Sequence, residues 1–349
     1  MKKAGFLVLI VAFLIAGAQD AYSQINRRNI KKSNRNISNF RGNKNSFKRN
    51  VYNAVGISLN AFNYYGDLSP SAKKLSTDLS FTRPAVGGSF VHRFGPRYQL
   101  VASFMFGGIK GSDKESADPN DKEAYFRYIR NLSFRNRIQE ISVVAQVDLF
   151  ENQATYISRV KWTPYVYAGV AVFHHNPQAQ VPQTDLNGNA FSNAGEWVDL
   201  KPLKTEGKDY KLVQAAIPFG IGARFKLTEL IDIAGEFGFR YTFTDYLDDV
   251  SGNYVDLRTL DGDLARAMSY RSNEVQPGAS DLVDAKIANR YNGYQGDLGF
   301  TTVAGYGHVN DDEKKSRNIR GTSEKDLYMV TSVRVTYIIN RNYHRAKFR

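Results

Sequence analysis

The residues most suggestive of chemistry lie in YTFTDYLDDVSGNYVD, 241–256, where Asp245, Asp248 and Asp249 crowd together. Carboxylates so close suit a divalent cation or an acid/base pair. An EF-hand reading fails, because neither D-x-[DN]-x-[DN]-G nor the closing Glu is present. The histidines are His92, His174, His175, His308 and His344, and none has a ligand spacing such as H-x-x-x-H. There is no Cys, so thiolate nucleophiles, Cys-held metals and disulfide staples are all excluded. No spacing requires Asp245, Asp248, Asp249 and His308 to converge. These patterns predict a protein that is not an enzyme and carries no cofactor. The acidic knot then reads most simply as a strand leaving a membrane for water, where Asp, Gly252 and Asn253 favour turns. A cation bridging Asp245, Asp248 and Asp249 to the loop or to lipopolysaccharide is the lesser alternative.

The formal charge of +13 would suit nucleic acid, but its distribution argues otherwise. Arg27, Arg28, Lys31, Lys32, Arg35, Arg41, Lys44, Lys48 and Arg49 fall in one acid-free run at 25–50. Arg341, Arg345, Lys347 and Arg349 fall in a second at the C-terminus. The two tails account for the whole excess, leaving a nearly neutral body. The opening MKKAGFLVLIVAFLIAGAQDAYSQ has a charged start, an apolar core at 5–16 and small-x-small sites at 16–18 and 21–23. That is the pattern of a signal peptide cut after Ala18 or Ser23, and its core is shorter than the ~20 residues of a membrane helix. Export argues against a nucleic-acid partner for the tails. The chain divides into a signal (1–23), a basic Asn-rich segment (24–50), a body (51–340) and a basic tail (341–349).

The body alternates with period two, which is the strand pattern. Eight segments show it: 51–65, 84–94, 98–108, 138–150, 164–175, 213–225, 231–243 and 326–339. In 138–150, Ile141, Val143, Ala145, Val147 and Leu149 share one face, with Glu140, Ser142, Gln146 and Asp148 opposite. In 231–243, Ile231, Ile233, Phe237, Phe239, Tyr241 and Phe243 oppose Asp232, Glu236 and Arg240. Short connections near 95–97, 151–160 and 227–230 alternate with long ones near 66–82, 110–136, 176–210 and 246–325. Eight strands, an even count and alternating loop lengths predict an all-β, eight-stranded antiparallel transmembrane barrel of the outer membrane. A lipocalin-type soluble barrel would place its large residues inside, and the pattern here is the reverse. Tyr64, Tyr65, Phe94, Tyr98, Phe150, Tyr246 and Tyr337 fit interfacial girdles. Pro218 removes a ladder donor in mid-strand and predicts a bulge or distorted pairing. The inward set of Glu140, Asp148, Asp232, Glu236, Arg224, Arg240 and Arg334 is closely balanced in charge. It predicts a salt-bridge network that plugs the lumen, the alternative being a charged path for ions or substrate.

GISLNAFNYYGDLSP (56–70), RYQLVASFMFGGIKGSD (97–113) and RNLSFRNRIQEISVVAQVDLF (130–150) resemble successive blocks of one family. TPYVYAGVAVFHHNP (163–177), LKPLKTEG (200–207), RYTFTDYLDDVSGNYVD (240–256) and RGTSEKDLYM (320–329) extend the likeness. The family is the outer-membrane barrels of the Bacteroidota that include, or lie close to, PorG of the type IX secretion system. The resemblance implies an outer-membrane subunit whose periplasmic side meets a ring lipoprotein of that machine, and it supplies no catalytic residue. Beside this stand the basic tails, which suit acidic protein surfaces or anionic lipid heads in a salt-sensitive way. Three functions are open. One is an anchor for a periplasmic assembly; another is a small channel or uptake barrel lidded by 246–325, where DLRTLDGDLARAMS suits a short helix. The third is a surface adhesin acting through the long loops.

Overall fold

The computed structural model describes residues 51–69, 81–118, 120, 125–151, 159–255, 257–275 and 320–339. The signal sequence, the tail cations from Arg27 to Arg49 and from Arg341 to Arg349, His308 and His344 lie outside the described residues. The described elements, in chain order, are β1 (Val51–Tyr65), β2 (Arg83–Phe94), β3 (Tyr98–Ser112), α1 (Asp113–Ser116) and α2 (Tyr125–Arg130). Then come β4 (Ser133–Asp148), β5 (Trp162–His174), β6 (Pro177–Gln180), β7 (Trp197–Asp199) and β8 (Val213–Lys226). The chain continues with β9 (Ile231–Thr242), α3 (Gly262–Ser269) and β10 (Leu327–Ile338).

Eight of these strands close a ring in the order β1-β2-β3-β4-β5-β8-β9-β10 and back to β1. Every neighbouring pair is antiparallel. The register aligns the apolar faces of neighbours. Ile57 lies opposite Val335, Phe104 opposite Ile141 and Ile221 opposite Phe237. All six point outward, and Ile57 is 73% exposed. Inward, Arg93, Glu140 and Asp148 are buried. A band of exposed Ile, Val, Leu and Phe around charges hidden inside is the inverse of a soluble core. Only hydrocarbon solvates such a surface, and only a closed ring leaves no unpaired backbone edge within it. The barrel is built to span a bilayer, with ring strands of 12 to 16 residues against the about 10 needed to cross.

Both ends of the ring sequence, β1's start and β10's finish, lie at the end with the short turns. At this turn end Phe94 stacks on Tyr98 at 6.4 Å and Phe150 meets Trp162 edge-on at 6.1 Å. At the loop end Tyr241 and Phe243 meet edge-on at 5.8 Å on the outer surface. Two of the expected girdle aromatics are elsewhere. Tyr64 points into the barrel and is buried, and Tyr246 stacks on Tyr210 at 4.7 Å above the lumen. Each has a hydroxyl that finds acids on that side, which outweighs interfacial placement.

Pro218 leaves the register unchanged. Pairing of β5 with β8 lapses between Ala168–Phe219 and Ala171–Ala216 and then resumes in step, while Pro218 stays opposite Arg240 on β9. The pairing is distorted and no extra residue is inserted. β3 and β4 run further than their alternation suggests and pair as far as Ser112 and Ser133. Beyond Phe106 and Ile141 the outward face turns polar, with Lys110, Arg135, Arg137 and Gln139, because the hairpin has left hydrocarbon, while Ile109, Phe134 and Ile138 stay buried inside; the lipid-facing pattern fades while the ladder continues. β6 adds to the outer end of β4 and β7 adds to β6. The helix expected in the last long loop forms as α3.

Candidate functional site

The barrel interior is filled in layers. Nearest the turn end, Asp148 accepts from Arg93 Nη2 at 2.6 Å and from Arg224 Nη2 at 2.7 Å. Arg224 also donates to Gln99, and Gln99 is hydrogen-bonded to Gln146. Asp232 is held by Arg159, which reaches up from the turn before β5 at 2.5 Å. In the middle, Glu236 accepts from Arg334 Nη2 at 2.5 Å, Tyr165 Oη at 2.6 Å and Gln146 Nε2 at 3.1 Å. Next, Glu140 accepts from Tyr328 Oη at 2.6 Å and lies 3.4 Å from Arg240 Nε. All seven inward charges named from the sequence therefore meet in the lumen, where Arg93 and Arg159 join them. Gly222 makes this packing possible, since a Cβ there would come within 2.6 Å of the Tyr165 ring.

Between the two glutamate layers lies a chamber of about 30 Å³ bordered by Ser58, Ser103, Ser142, Glu236, Arg240 and Arg334. That admits about two waters and no solute. Taking one partner from a buried pair is costly because the other charge stays desolvated. Asp148→Ala is therefore expected to destabilise the barrel by about 3–5 kcal/mol, leaving Arg93 and Arg224 facing each other. Urea unfolding of the vesicle-inserted protein, followed by its gel mobility, measures this.

Above the charged layers the loops seal the lumen with apolar side chains. Leu68 follows β1, Leu132 precedes β4, and Leu247 and Val250 follow β9; they pack with Phe62, Phe134, Phe173 and Tyr328 in one buried cluster. Two buried arginines tie these loops together. Arg130 donates to both carboxylate oxygens of Asp113, each at 2.7 Å, to the Asp67 carbonyl at 2.8 Å and to the Arg320 carbonyl at 2.5 Å. Arg320 donates to Glu206 at 3.1 Å and to the Asp249 carbonyl at 2.5 Å. Glu206 also receives the backbone N–H of Ser251 at 3.0 Å. His175 is buried beneath this cap against Tyr210, and burial pushes its imidazole down to about 4.

The acidic knot belongs to the cap, which corrects the expectation of solvated carboxylates. Asp245, Asp248 and Asp249 are 3%, 1% and 2% exposed, because the loop folds back over the lumen mouth. They diverge. Asp245 accepts from Ser251 Oγ at 2.7 Å, and Asp249 accepts from Tyr210 Oη at 2.7 Å and from Thr205. Asp248 meets Tyr64 Oη at 2.7 Å, and the same hydroxyl lies 2.8 Å from Asp326. Among the described residues no group of three or more His, Asp or Glu is arranged to hold a metal ion. One phenol proton serves one acceptor, so a second proton must sit on one of the two carboxyls for both bonds to form. Burial first, then neighbouring carboxylates, hold Asp248 and Asp326 well above the usual carboxylate range. Burial likewise lifts Asp245 and Asp249 to about 6, against the pull of Arg320 on Asp249.

Sequence reasoning missed most of the cap. Asp67, Asp113, Arg130, Glu206 and Arg320 read as ordinary loop residues, and Asp326 as the first residue of the last strand. The available signal was their position within the distinctive blocks, with Asp67, Asp113, Arg130 and Asp326 also beside strand ends.

Inverted surface, closed ring and filled lumen define an eight-stranded barrel of the outer-membrane type. Residues 43–196 match the model of a family described only as a domain of unknown function, DUF6089. No curated protein sequence matches. Among solved structures, the chain is similar to Ail, the attachment invasion locus protein of Yersinia pestis, solved with the heparin analogue sucrose octasulfate. The identity is 6% and the TM-score 0.32, over 83% of this chain and 99% of that one. For the outer membrane protein OprG of Pseudomonas aeruginosa the values are 9% and 0.33, over 84% and 98%. For Neisserial surface protein A they are 9% and 0.32, over 81% and 96%.

Proposed function

We propose that this protein is an exported outer-membrane fixture that anchors a periplasmic assembly, and that the assembly is a type IX secretion machine of the PorG kind. The observation that carries the anchor reading is the filled lumen. A barrel plugged by paired charges and capped by apolar side chains transports nothing, so its use lies in what its two ends hold. The secretion assignment rests on the motif blocks and on the basic tails, whose charge suits a periplasmic partner. Crosslinking mass spectrometry on intact cells tests it, with Lys31, Lys44, Lys48 and Lys347 as reporters. Crosslinks to a ring lipoprotein are expected, and crosslinks to nothing beyond the chain itself would sink the secretion reading. Planar-bilayer recording at high salt is expected to show no unitary steps even with 276–319 deleted. Stepwise conductance would return the channel reading.

A second reading, a surface receptor or adhesin, is favoured by one observation. The described parts of the long loops are tied together through Arg130 and Arg320, which an anchor working only from its periplasmic end does not require.

A further inference from the structure

We propose that the outward face of β3 and β4 at the loop end binds the phosphates of an anionic lipid headgroup in the surrounding leaflet. The site rests on the membrane reading above and adds a ligand to it. The ladder sets cations side by side there, with Lys110 opposite Arg135 and Gly108 opposite Arg137. On β4, Arg135 and Arg137 share the outward face of Ile141 and Val143, since alternate residues point the same way. Like charges opposed across a ladder repel, so this arrangement calls for an anion.

The protein itself supplies little compensation. Lys110 pairs with the exposed Glu115 at 3.0 Å. Arg135 donates from Nε to the neutral Gln178 at 3.0 Å, and its guanidinium lies over the Trp197 ring at 3.8 Å. Arg137 is exposed, and among the described residues no acid pairs with it or with Arg135. Gly108 presents no side chain opposite Arg137, and a Cβ there would come within 3.2 Å of the Asn136 carbonyl oxygen.

Depth identifies the ligand. The outermost apolar layer holds Phe106, with Ile141 just below it and Gln139 opposite. Arg137 stands one layer above and Arg135 two, at about 7 Å per layer. That is headgroup depth, directly continuous with the lipid-facing belt, and an indole at this level suits an interface. A guanidinium held flat against an indole keeps its planar fork ready for a phosphate, which it binds in two-pronged fashion. The partner is therefore a phosphorylated lipid of the kind represented by lipid A.

The full chain in phosphatidylcholine nanodiscs, titrated with diphosphoryl lipid A and followed by native mass spectrometry, tests the site. Wild type is expected to retain the lipid. R135Q/R137Q should retain it about thirty-fold less well, while K161Q at the turn end matches wild type. Lipid A stripped of its phosphates should bind the wild type no better than the double variant binds the intact lipid. Equal retention by R135Q/R137Q, or by the dephosphorylated lipid, overturns the proposal. Displacement of bound lipid by millimolar inorganic phosphate would make this a free-phosphate site and overturns the lipid assignment. Gel mobility before and after heating reports folding and insertion separately. A chain that never inserts refutes the membrane reading, whereas an inserted chain indifferent to phosphate refutes only this site.

Discussion

Arg320→Met is expected to release the outer cap while the barrel beneath stays closed. The guanidinium is buried and bridges Glu206, the carbonyl of Asp249 and, at 3.7 Å, the Asp249 carboxylate. A methionine of similar reach leaves those acids desolvated and unpaired, a loss of about 3–5 kcal/mol. The loss falls on the cap because the partners of Arg320, the Ser269 carbonyl at the end of α3 included, all lie outside the ring strands. It reaches the β3–β4 connection through Arg130, which donates to the Arg320 carbonyl. The expected result is rapid proteolysis within 200–275, with the heat-dependent gel shift of the barrel unchanged. If the cap of the variant resists protease as the wild type does, the two-arginine account is wrong. If the barrel melts as well, cap and ring are one cooperative unit.

The second large effect is with pH. Asp245, Asp248, Asp249 and Asp326 all have folded-state values above the ordinary 3.8. Between that value and the raised ones, the closed cap holds protons that a released loop would lose. Stability of the cap is thus full at acid pH and falls as pH rises through about 6 and beyond. Asp249, wholly buried, contributes on the order of 3 kcal/mol of that loss by itself. Around the shared proton of Tyr64, Asp248 and Asp326 stand Asp67 and Asp245. Arg130 offsets Asp67 and Lys325 offsets Asp245. Ionisation therefore adds repulsion where Asp326 receives the Leu247 N–H at 2.9 Å and holds Leu247 in the lumen mouth. Amide exchange at Leu247 is expected to quicken from pH 5 to pH 8 by more than the intrinsic base-catalysed rise. Asp326→Asn, which removes one of the two titrating carboxyls, is expected to flatten that profile. A wild-type profile that follows intrinsic exchange alone would eliminate the latch.

What the sequence determined by itself was the ring and its orientation toward lipid. Period-two alternation is a local property, and a one-residue slip would turn every apolar side chain the wrong way. Ile57, Phe104, Ile141 and Phe237 therefore announce their faces without any knowledge of neighbours. The same parity placed Glu140, Asp148, Asp232, Glu236, Arg224, Arg240 and Arg334 inside. It did not pair them. Which arginine meets which acid depends on strand register and on Arg159, which comes from a turn that has no alternation.

The cap was decided by tertiary structure alone. Asp248 and Tyr64 are joined across 184 positions, and Arg130 and the Arg320 carbonyl across 190. No spacing rule reaches that far, because loop residues are fixed by what covers them rather than by a repeat. The knot at Asp245, Asp248 and Asp249 shows the consequence. From sequence it is a solvated strand exit, and only the fold of the loop over the lumen turns it into three buried carboxyls with separate partners, of which Asp248 meets Asp326 through the Tyr64 hydroxyl.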